Sequence, residues 1–172
     1  TLDASVTAAA DLTTGNLSGI EVNAQIPDTL AVRATGDVAA FGKGAVKLTT
    51  HVAVQPGPVL AWLPPSLLGS LPVPKASGSV KLDADISGDL GRKAVGAKGT
   101  PTLAKLSAAN LPSRASLRSV DGAIRFDATL ADGYQPGPTQ LDAKLALGEI
   151  AALDALRVQS GTVDLAARAA GL

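Results

Sequence analysis

The chain has 172 residues, of which 46% are hydrophobic, and its 15 basic and 15 acidic residues give a formal net charge of zero. This length suits one domain, so residues 1–172 are interpreted as a single unit. A neutral charge argues against a nucleic-acid partner, because such proteins neutralise phosphates with excess positive charge. One tryptophan, one tyrosine and two phenylalanines are few for stacking on bases or sugars. The absence of cysteine excludes disulfides and thiolate metal sites.

Apolar and polar residues alternate along much of the chain, which is the pattern of a strand with one apolar and one polar face. The alternating segments are 1–8, 20–26, 46–55, 80–87, 124–130 and 141–147. One-sided strands of this kind are typical of antiparallel sheets. A weak repeat of Gly, small, β-branched, polar and large apolar residues starts at Gly44, Gly78, Gly122 and Gly161. Strand patterning with a biased composition is an equally good explanation of that repeat.

Helix-compatible segments are few. Short helical turns are expected within Pro58–Leu71 and within Ala151–Val158. The sequence Gln-Pro-Gly-Pro occurs at Gln55–Pro58 and Gln135–Pro138, and both copies are expected to end strands because proline cannot donate to a ladder. The glycine-rich basic segment Gly91–Gly99 is expected to form a hairpin loop. The lack of methionine and the start at Thr1 indicate a processed form or a piece of a longer protein.

Residues with potential for chemistry are sparse. His51 is the only histidine, and alternation places it on a polar strand face, where a solvated side chain is the simplest interpretation. Asp83 and Asp85 lie beside Lys81 on the polar face of one segment, without a pocket signature. No nucleophile elbow, phosphate loop or dinucleotide fingerprint is present. We therefore expect a protein that is not an enzyme and that uses no metal or cofactor.

The apolar face admits two interpretations. It either packs into a closed core or lines a groove for an aliphatic ligand. Composition favours the core, but alanines such as Ala84 and Ala143 fill little volume, and acyl chains would fit the remaining room without specific polar contacts.

Four stretches resemble the AsmA-like proteins of bacteria, the TamB and YdbH group. They are the leucine-proline stretch Leu60–Leu68, the alternating stretch Ala76–Leu90, and the stretches Leu117–Leu130 and Gln135–Gly148, which are closest to the YdbH-like branch. The resemblance covers about residues 44–165. The inner-membrane anchor and the great length of that family are missing from this chain.

The resemblance implies an elongated antiparallel sheet that curls into an open hydrophobic groove. In that interpretation a periplasmic conduit, anchored in the inner membrane of a Gram-negative envelope, carries phospholipid between the inner and outer membranes. Other parts of the full-length chain would contact the membranes and envelope partner proteins. About a dozen strands are expected at a spacing of about 4.8 Å.

Two sets of residues are predicted to form the groove, and the first of them, the groove-lining set, is predicted to contact lipid. The groove-lining set consists of Val46, Leu48, Val52, Val80, Leu82, Ala84, Ile86, Ile124, Phe126, Leu130, Leu141, Leu145 and Leu147. A groove-mouth segment is predicted at Leu60, Trp62, Leu63, Leu67 and Leu68. The alternatives are a flattened β-sandwich for the fold and a structural stalk or scaffold module, without ligand, for the function. An enzyme or carbohydrate-binding domain would instead need converging polar groups in a pocket.

Overall fold

A computed structural model describes residues 1–40, 43–60, 75–111, 115–152 and 156–170. Most of these residues lie in strands. The strands are β1 (Asp3–Asp11), β2 (Asn16–Ile26), β3 (Leu30–Val38), β4 (Ala45–Val54), β5 (Lys75–Asp89), β6 (Ala94–Leu111), β7 (Ala115–Ala131), β8 (Gln135–Ala152), β9 (Leu156–Val158) and β10 (Gly161–Ala169). One short helix, α1 (Pro56–Leu60), and a 3-10 turn at Asp132–Tyr134 complete the described elements.

The ten strands form one antiparallel sheet in chain order. Each strand from β1 to β8 pairs with the next, and β10 and β9 both pair with β8 along its second side. The sheet therefore has nine rows, with β1 at one edge and β10 at the other, and it is not closed. The expectation of a mainly β, open antiparallel sheet is confirmed. The first and last rows lie about 38 Å apart along the sheet at ordinary strand spacing.

The described residues form a single sheet rather than the two packed sheets of the alternative sandwich. Few of the described side chains are buried. Those that are both buried and hydrophobic are Val46, Ala84, Val120 and Ala143, and no large side chain in the described ranges is fully enclosed. Helix α1 lies beside β5 and has only five residues. No helix in the described ranges is long and apolar enough to cross a membrane.

Three local predictions need correction. Ala151–Val158 contains no helix among its described residues, because Ala151 and Ala152 end β8 and Leu156–Val158 pairs with β8 as β9. The second side of β8 offers backbone N–H and C=O groups that pair with this segment. This pairing outweighs the weak helix propensity of the segment.

The second Gln-Pro-Gly-Pro copy starts a strand instead of ending one. Gln135–Pro138 opens β8 in a stretch that β10 does not reach and that lies beside a register irregularity with β7, and prolines are tolerated at such edges and bulges, whereas the first copy ends β4 as predicted. The third correction concerns Gly91–Gly99: the turn ends at Lys93, and the remainder belongs to β6. Of the predicted helical segment Pro58–Leu71, residues 58–60 lie in α1 and the rest lie outside the described residues.

Candidate functional site: the apolar face of the sheet

One face of the sheet is apolar across all nine rows. Residues directly opposite each other on paired strands point to the same face, so the register identifies the members of this face. Across the centre, Val32 pairs with Val52, Val52 with Leu82, and Leu82 with Pro101. Four residues further along the strands, Leu48 pairs with Ile86 and Ile86 with Ala97, and beyond Ala97 the face continues to Ala128 of β7.

All thirteen residues predicted to line the groove lie on this one face. β4 contributes three of them, β5 four, β7 three and β8 three. Some of these residues lie directly opposite one another, and others are linked by a residue of the same face on the strand between them. For example, Phe126 lies opposite Leu141, and Gly122 lies between Leu103 on one neighbouring strand and Leu145 on the other. Leu130 lies opposite Val95 on β6, which continues to Gly88 on β5. We call this surface the apolar face.

At two positions of the apolar face, a glycine lies beside a large side chain. Gly99 lies opposite both Ala84 and Phe126, and a methyl group at Gly99 would come within 2.9 Å of the Phe126 ring and 2.8 Å of Ala84 Cβ. Gly122 has a φ of +147° and lies opposite Leu145. The two glycines thus leave room for the Phe126 and Leu145 side chains, which have atoms close to the position that a Cβ would take.

The hydroxyl groups on the apolar face are turned to the backbone. Thr50 lies between Ala34 and Ala84, and its Oγ1 donates to the Ala84 carbonyl at 3.2 Å. Thr139 lies opposite Ala128, and its Oγ1 donates to the Gly137 carbonyl at 3.5 Å. These bonds satisfy the two hydroxyls within the chain, so they add little polarity to the surface.

The apolar face is more buried on the interior strands than on the two edge strands. The four buried hydrophobic residues of the described ranges belong to the interior strands β4, β5, β7 and β8, and their partners show that they lie on the apolar face. Val6 of β1 is 71% exposed, and Leu165 of β10 is 53% exposed. Most of the predicted groove residues are half-buried, although Leu130 is 42% exposed. Half-buried aliphatic side chains remain partly accessible to a ligand.

The opposite face carries the polar members of the same strands, and these pair with one another. Arg33 bonds Glu21 at 3.0 Å, Thr49 donates to Asp85 at 2.9 Å, and Gln140 donates to Asp142 at 2.6 Å. We call this surface the polar face. Its side chains find hydrogen-bonding and ionic partners on neighbouring residues and in water.

His51 lies on the polar face, as predicted, and its Nδ1 is 2.6 Å from Oδ1 of Asp83. The two side chains are 56% and 68% exposed. They border shallow open depressions that also include Arg33, Lys81 and Arg125. Polar groups therefore converge here, but on an open surface where water competes for every one of them. Among the described residues, no cluster of three or more His, Asp or Glu side chains has the arrangement of a metal site.

The groove-mouth segment cannot be placed on either face. Leu60 is the last residue of α1, and Trp62, Leu63, Leu67 and Leu68 lie outside the described residues. Its packing across the groove mouth or against a neighbour stays a prediction, as does the alternative of an ordinary buried crossover.

Sequence reasoning missed part of the apolar face. β3 contributes Leu30, Val32 and Val38, and β6 contributes Val95 and Leu103. In β3 the alternation was present, with Arg33, Thr35 and Asp37 as its polar members, but Gly36 interrupts it. In β6 two glycines and a proline interrupt the alternation of apolar and polar residues.

Comparison with known proteins identifies no relative. No protein-family model, no curated protein and no solved structure matches the chain.

Proposed function

We propose that the apolar face holds the acyl chains of phospholipids and forms a segment of a conduit between the two membranes of a Gram-negative envelope. The observation that carries this proposal is the continuity of the face across nine rows of an open sheet. No second sheet among the described residues covers it. Extended exposed apolar surfaces are typical of ligand or partner sites.

The chemistry of the face suits acyl chains better than polar ligands. Its members are aliphatic residues, glycines and a phenylalanine, and its two hydroxyls are bonded to backbone carbonyls. Each CH₂ group transferred from water to such a surface contributes about 0.8 kcal/mol. The binding energy therefore grows with the length of the acyl chain, and no single residue dominates it.

The repetition of similar apolar rows also suits movement. Successive rows offer a lipid nearly the same environment, so a shift of one row, about 4.8 Å, changes the binding energy little. In this mechanism no bond is made or broken. The headgroup stays in water at the border of the apolar face, and the acyl chains slide along it.

Binding of phospholipid by the purified chain tests the proposal. The protein is incubated with vesicles that contain a phospholipid with a fluorescent acyl chain, then separated from the vesicles, and the lipid bound per protein is measured. We expect bound lipid that unlabelled phospholipid displaces and that glycerophosphoethanolamine, a headgroup without acyl chains, does not. Absence of bound lipid, or equal displacement by the headgroup alone, would favour the structural module without ligand.

A further inference from the structure

Three turns at one end of the strands lie side by side and are joined by backbone hydrogen bonds. These turns connect β3 to β4, β5 to β6 and β7 to β8. The Leu90 amide donates to the Gly44 carbonyl at 3.0 Å, which joins the first turn to the second. The Tyr134 amide donates to the Lys93 carbonyl at 2.9 Å, which joins the second turn to the third. The three turns therefore form one continuous border of the sheet.

This border brings three cationic residues together. Lys43 lies in the first turn, and Arg92 and Lys93 lie in the second. The two turns touch, because a Cβ atom at Gly91 would come within 2.5 Å of the Lys43 carbonyl oxygen. All three cationic residues are exposed, and none of them forms an ion pair with a carboxylate of the described ranges. We call Lys43, Arg92 and Lys93 the basic border.

Two carboxylates lie beside the basic border, and the three cations outnumber them. Asp89 is half-buried, and its Oδ1 accepts a hydrogen bond from the Arg92 amide at 3.0 Å. Asp132 is exposed in the third turn. The border therefore keeps an excess of positive charge.

Charges are arranged differently near the opposite ends of the strands. Arg118 and Arg157 both bond Glu149 there, at 3.4 and 3.2 Å. The connection between β4 and β5, residues 55–74, contains no Asp, Glu, Lys or Arg. The described charges therefore favour the basic border as the place for an anionic group.

The basic border adjoins the apolar face. Val46 and Val95 lie on either side of Gly88 in the row of the face next to the turns. Lys93 is two residues from Val95, and Lys43 is three residues from Val46, so about 7 to 10 Å of backbone separates the cations from the face. A lipid whose acyl chains cover this row would have its headgroup beside the turns.

We propose that the basic border holds the phosphate group of a phospholipid whose acyl chains lie on the apolar face. Phosphate oxygens accept charge-assisted hydrogen bonds from ammonium and guanidinium groups, which are the groups that this border exposes. This inference rests on the proposed function, because it concerns the headgroup of the same lipid. The contacts are exposed and individually weak, so they keep the headgroup on one side of the sheet without fixing the lipid at one position.

Two lipids with the same fluorescent acyl chain separate this inference from the proposed function. Phosphatidylglycerol carries a phosphate group and diacylglycerol carries none, so both are expected to bind the apolar face and only the first to contact the basic border. High salt should weaken the binding of phosphatidylglycerol by the wild-type chain and leave that of diacylglycerol unchanged or stronger, because salt screens exposed charges. This measurement needs no variant.

A triple variant tests the basic border itself. It combines Lys43→Gln, Arg92→Gln and Lys93→Gln. We expect its affinity for phosphatidylglycerol to fall about tenfold, the combined effect of three exposed charge contacts, and its affinity for diacylglycerol to stay unchanged. The control removes two lysines and one arginine from the polar face, through Lys81→Gln, Lys98→Gln and Arg125→Gln. It changes the net charge equally and should bind both lipids as the wild type does.

Circular dichroism checks that both triple variants keep their strand content, since the bonds between the turns are made by backbone atoms. A loss of phosphatidylglycerol binding in the border variant alone supports the inference. Equal losses in the two triple variants, no loss in the border variant, or wild-type binding of phosphatidylglycerol that ignores salt would overturn it and leave the proposed function in place. A wild-type chain that binds neither lipid would overturn both.

Discussion

The two faces of the sheet are built by the same strands and differ only in which side chains they carry. On the polar face, neighbouring strands supply partners, as between Arg33 and Glu21 or Thr49 and Asp85. On the apolar face, neighbours supply only lateral contacts, and the side chains remain half-buried within a single sheet. The side chains of the polar face thus have hydrogen-bonding partners in the chain or in water. The apolar face still exposes aliphatic surface, and covering that surface lowers the free energy.

This difference changes what a mutation on each face is expected to do. A polar-face substitution removes an exposed contact that water can replace, so its effect is small. An apolar-face substitution alters either the packing between rows or the surface offered to an acyl chain. Matched positions on the two faces should therefore respond differently to the same kind of substitution.

Leu82→Asp should give the largest loss of lipid binding. Leu82 lies at the centre of the apolar face, opposite Val52 and Pro101, and a carboxylate there would be desolvated by an acyl chain. We expect the affinity for phospholipid to fall tenfold or more, which corresponds to about 1.4 kcal/mol or more. The measurement is the titration with fluorescent phospholipid, together with a thermal melt of the variant.

Lys81→Asp is the matched control, because it places the same side chain one residue away on the polar face, opposite Ala53 and Thr102. Its lipid affinity should stay within about twofold of wild type, a difference of about 0.4 kcal/mol. Both variants should stay folded, since the carboxylate in either keeps contact with water. Unfolding of Leu82→Asp alone would indicate a closed core and not an accessible face.

Gly99→Ala should destabilise the sheet by about 2 kcal/mol, the range found for overpacked sites. The added methyl group would lie 2.6 Å from the Asp83 carbonyl oxygen and 2.9 Å from Phe126. Gly96→Ala is the control on the polar face, where the nearest atom is the Ser87 carbonyl oxygen at 3.7 Å. Its effect should lie within about 0.5 kcal/mol. Urea unfolding compares the two, and equal losses would contradict the close packing on the apolar face.

Arg33→Ala should cost less than about 1 kcal/mol, because the ion pair with Glu21 is exposed and screened by water. The side chains are 60% and 41% exposed. Lipid affinity should not change. The test combines urea unfolding with the lipid titration, and a clear loss of lipid binding would move the ligand to the polar face.

The smallest effect is expected at the β1–β2 turn. Hydrogen bonds from the Thr14 hydroxyl and from the Thr13 and Thr14 amides lower the pKa of Asp11 below its usual value of 3.8. A carboxyl whose pKa is lower in the folded state stabilises that state above its unfolded pKa, and this contribution is lost as pH falls through the folded pKa. Asp11→Asn should therefore differ from wild type near neutral pH and match it in strong acid. The measurement is the free energy of unfolding of both proteins as a function of pH. A difference between them that persists in strong acid would contradict a stabilising role for the hydrogen bonds to the Asp11 carboxylate.

The sequence predicted the face of each groove residue well and the extent of the sheet less well. Strict alternation assigned Leu82 and Lys81 to opposite faces, because the side-chain period of a strand is two. β6 was missed because glycine and proline, which it carries at Gly99 and Pro101, are rare inside strands. Whether a strand accepts them depends on the neighbouring strands, which the sequence of one segment does not show. The strand at Leu156–Val158 was missed for a related reason, since only the open side of β8 favours it. Long-range pairing decided these cases over local preference.

A photocrosslinking scan along β5 tests the central claim most directly. A photoreactive side chain is placed in turn at each position from Val80 to Ile86, and crosslinking to phospholipid is measured. The account predicts a period of two, with strong crosslinking at Val80, Leu82, Ala84 and Ile86 and weak crosslinking at the positions between them. Uniform crosslinking, or a maximum at Lys81, Asp83 and Asp85, would contradict the claim that the apolar face holds the acyl chains.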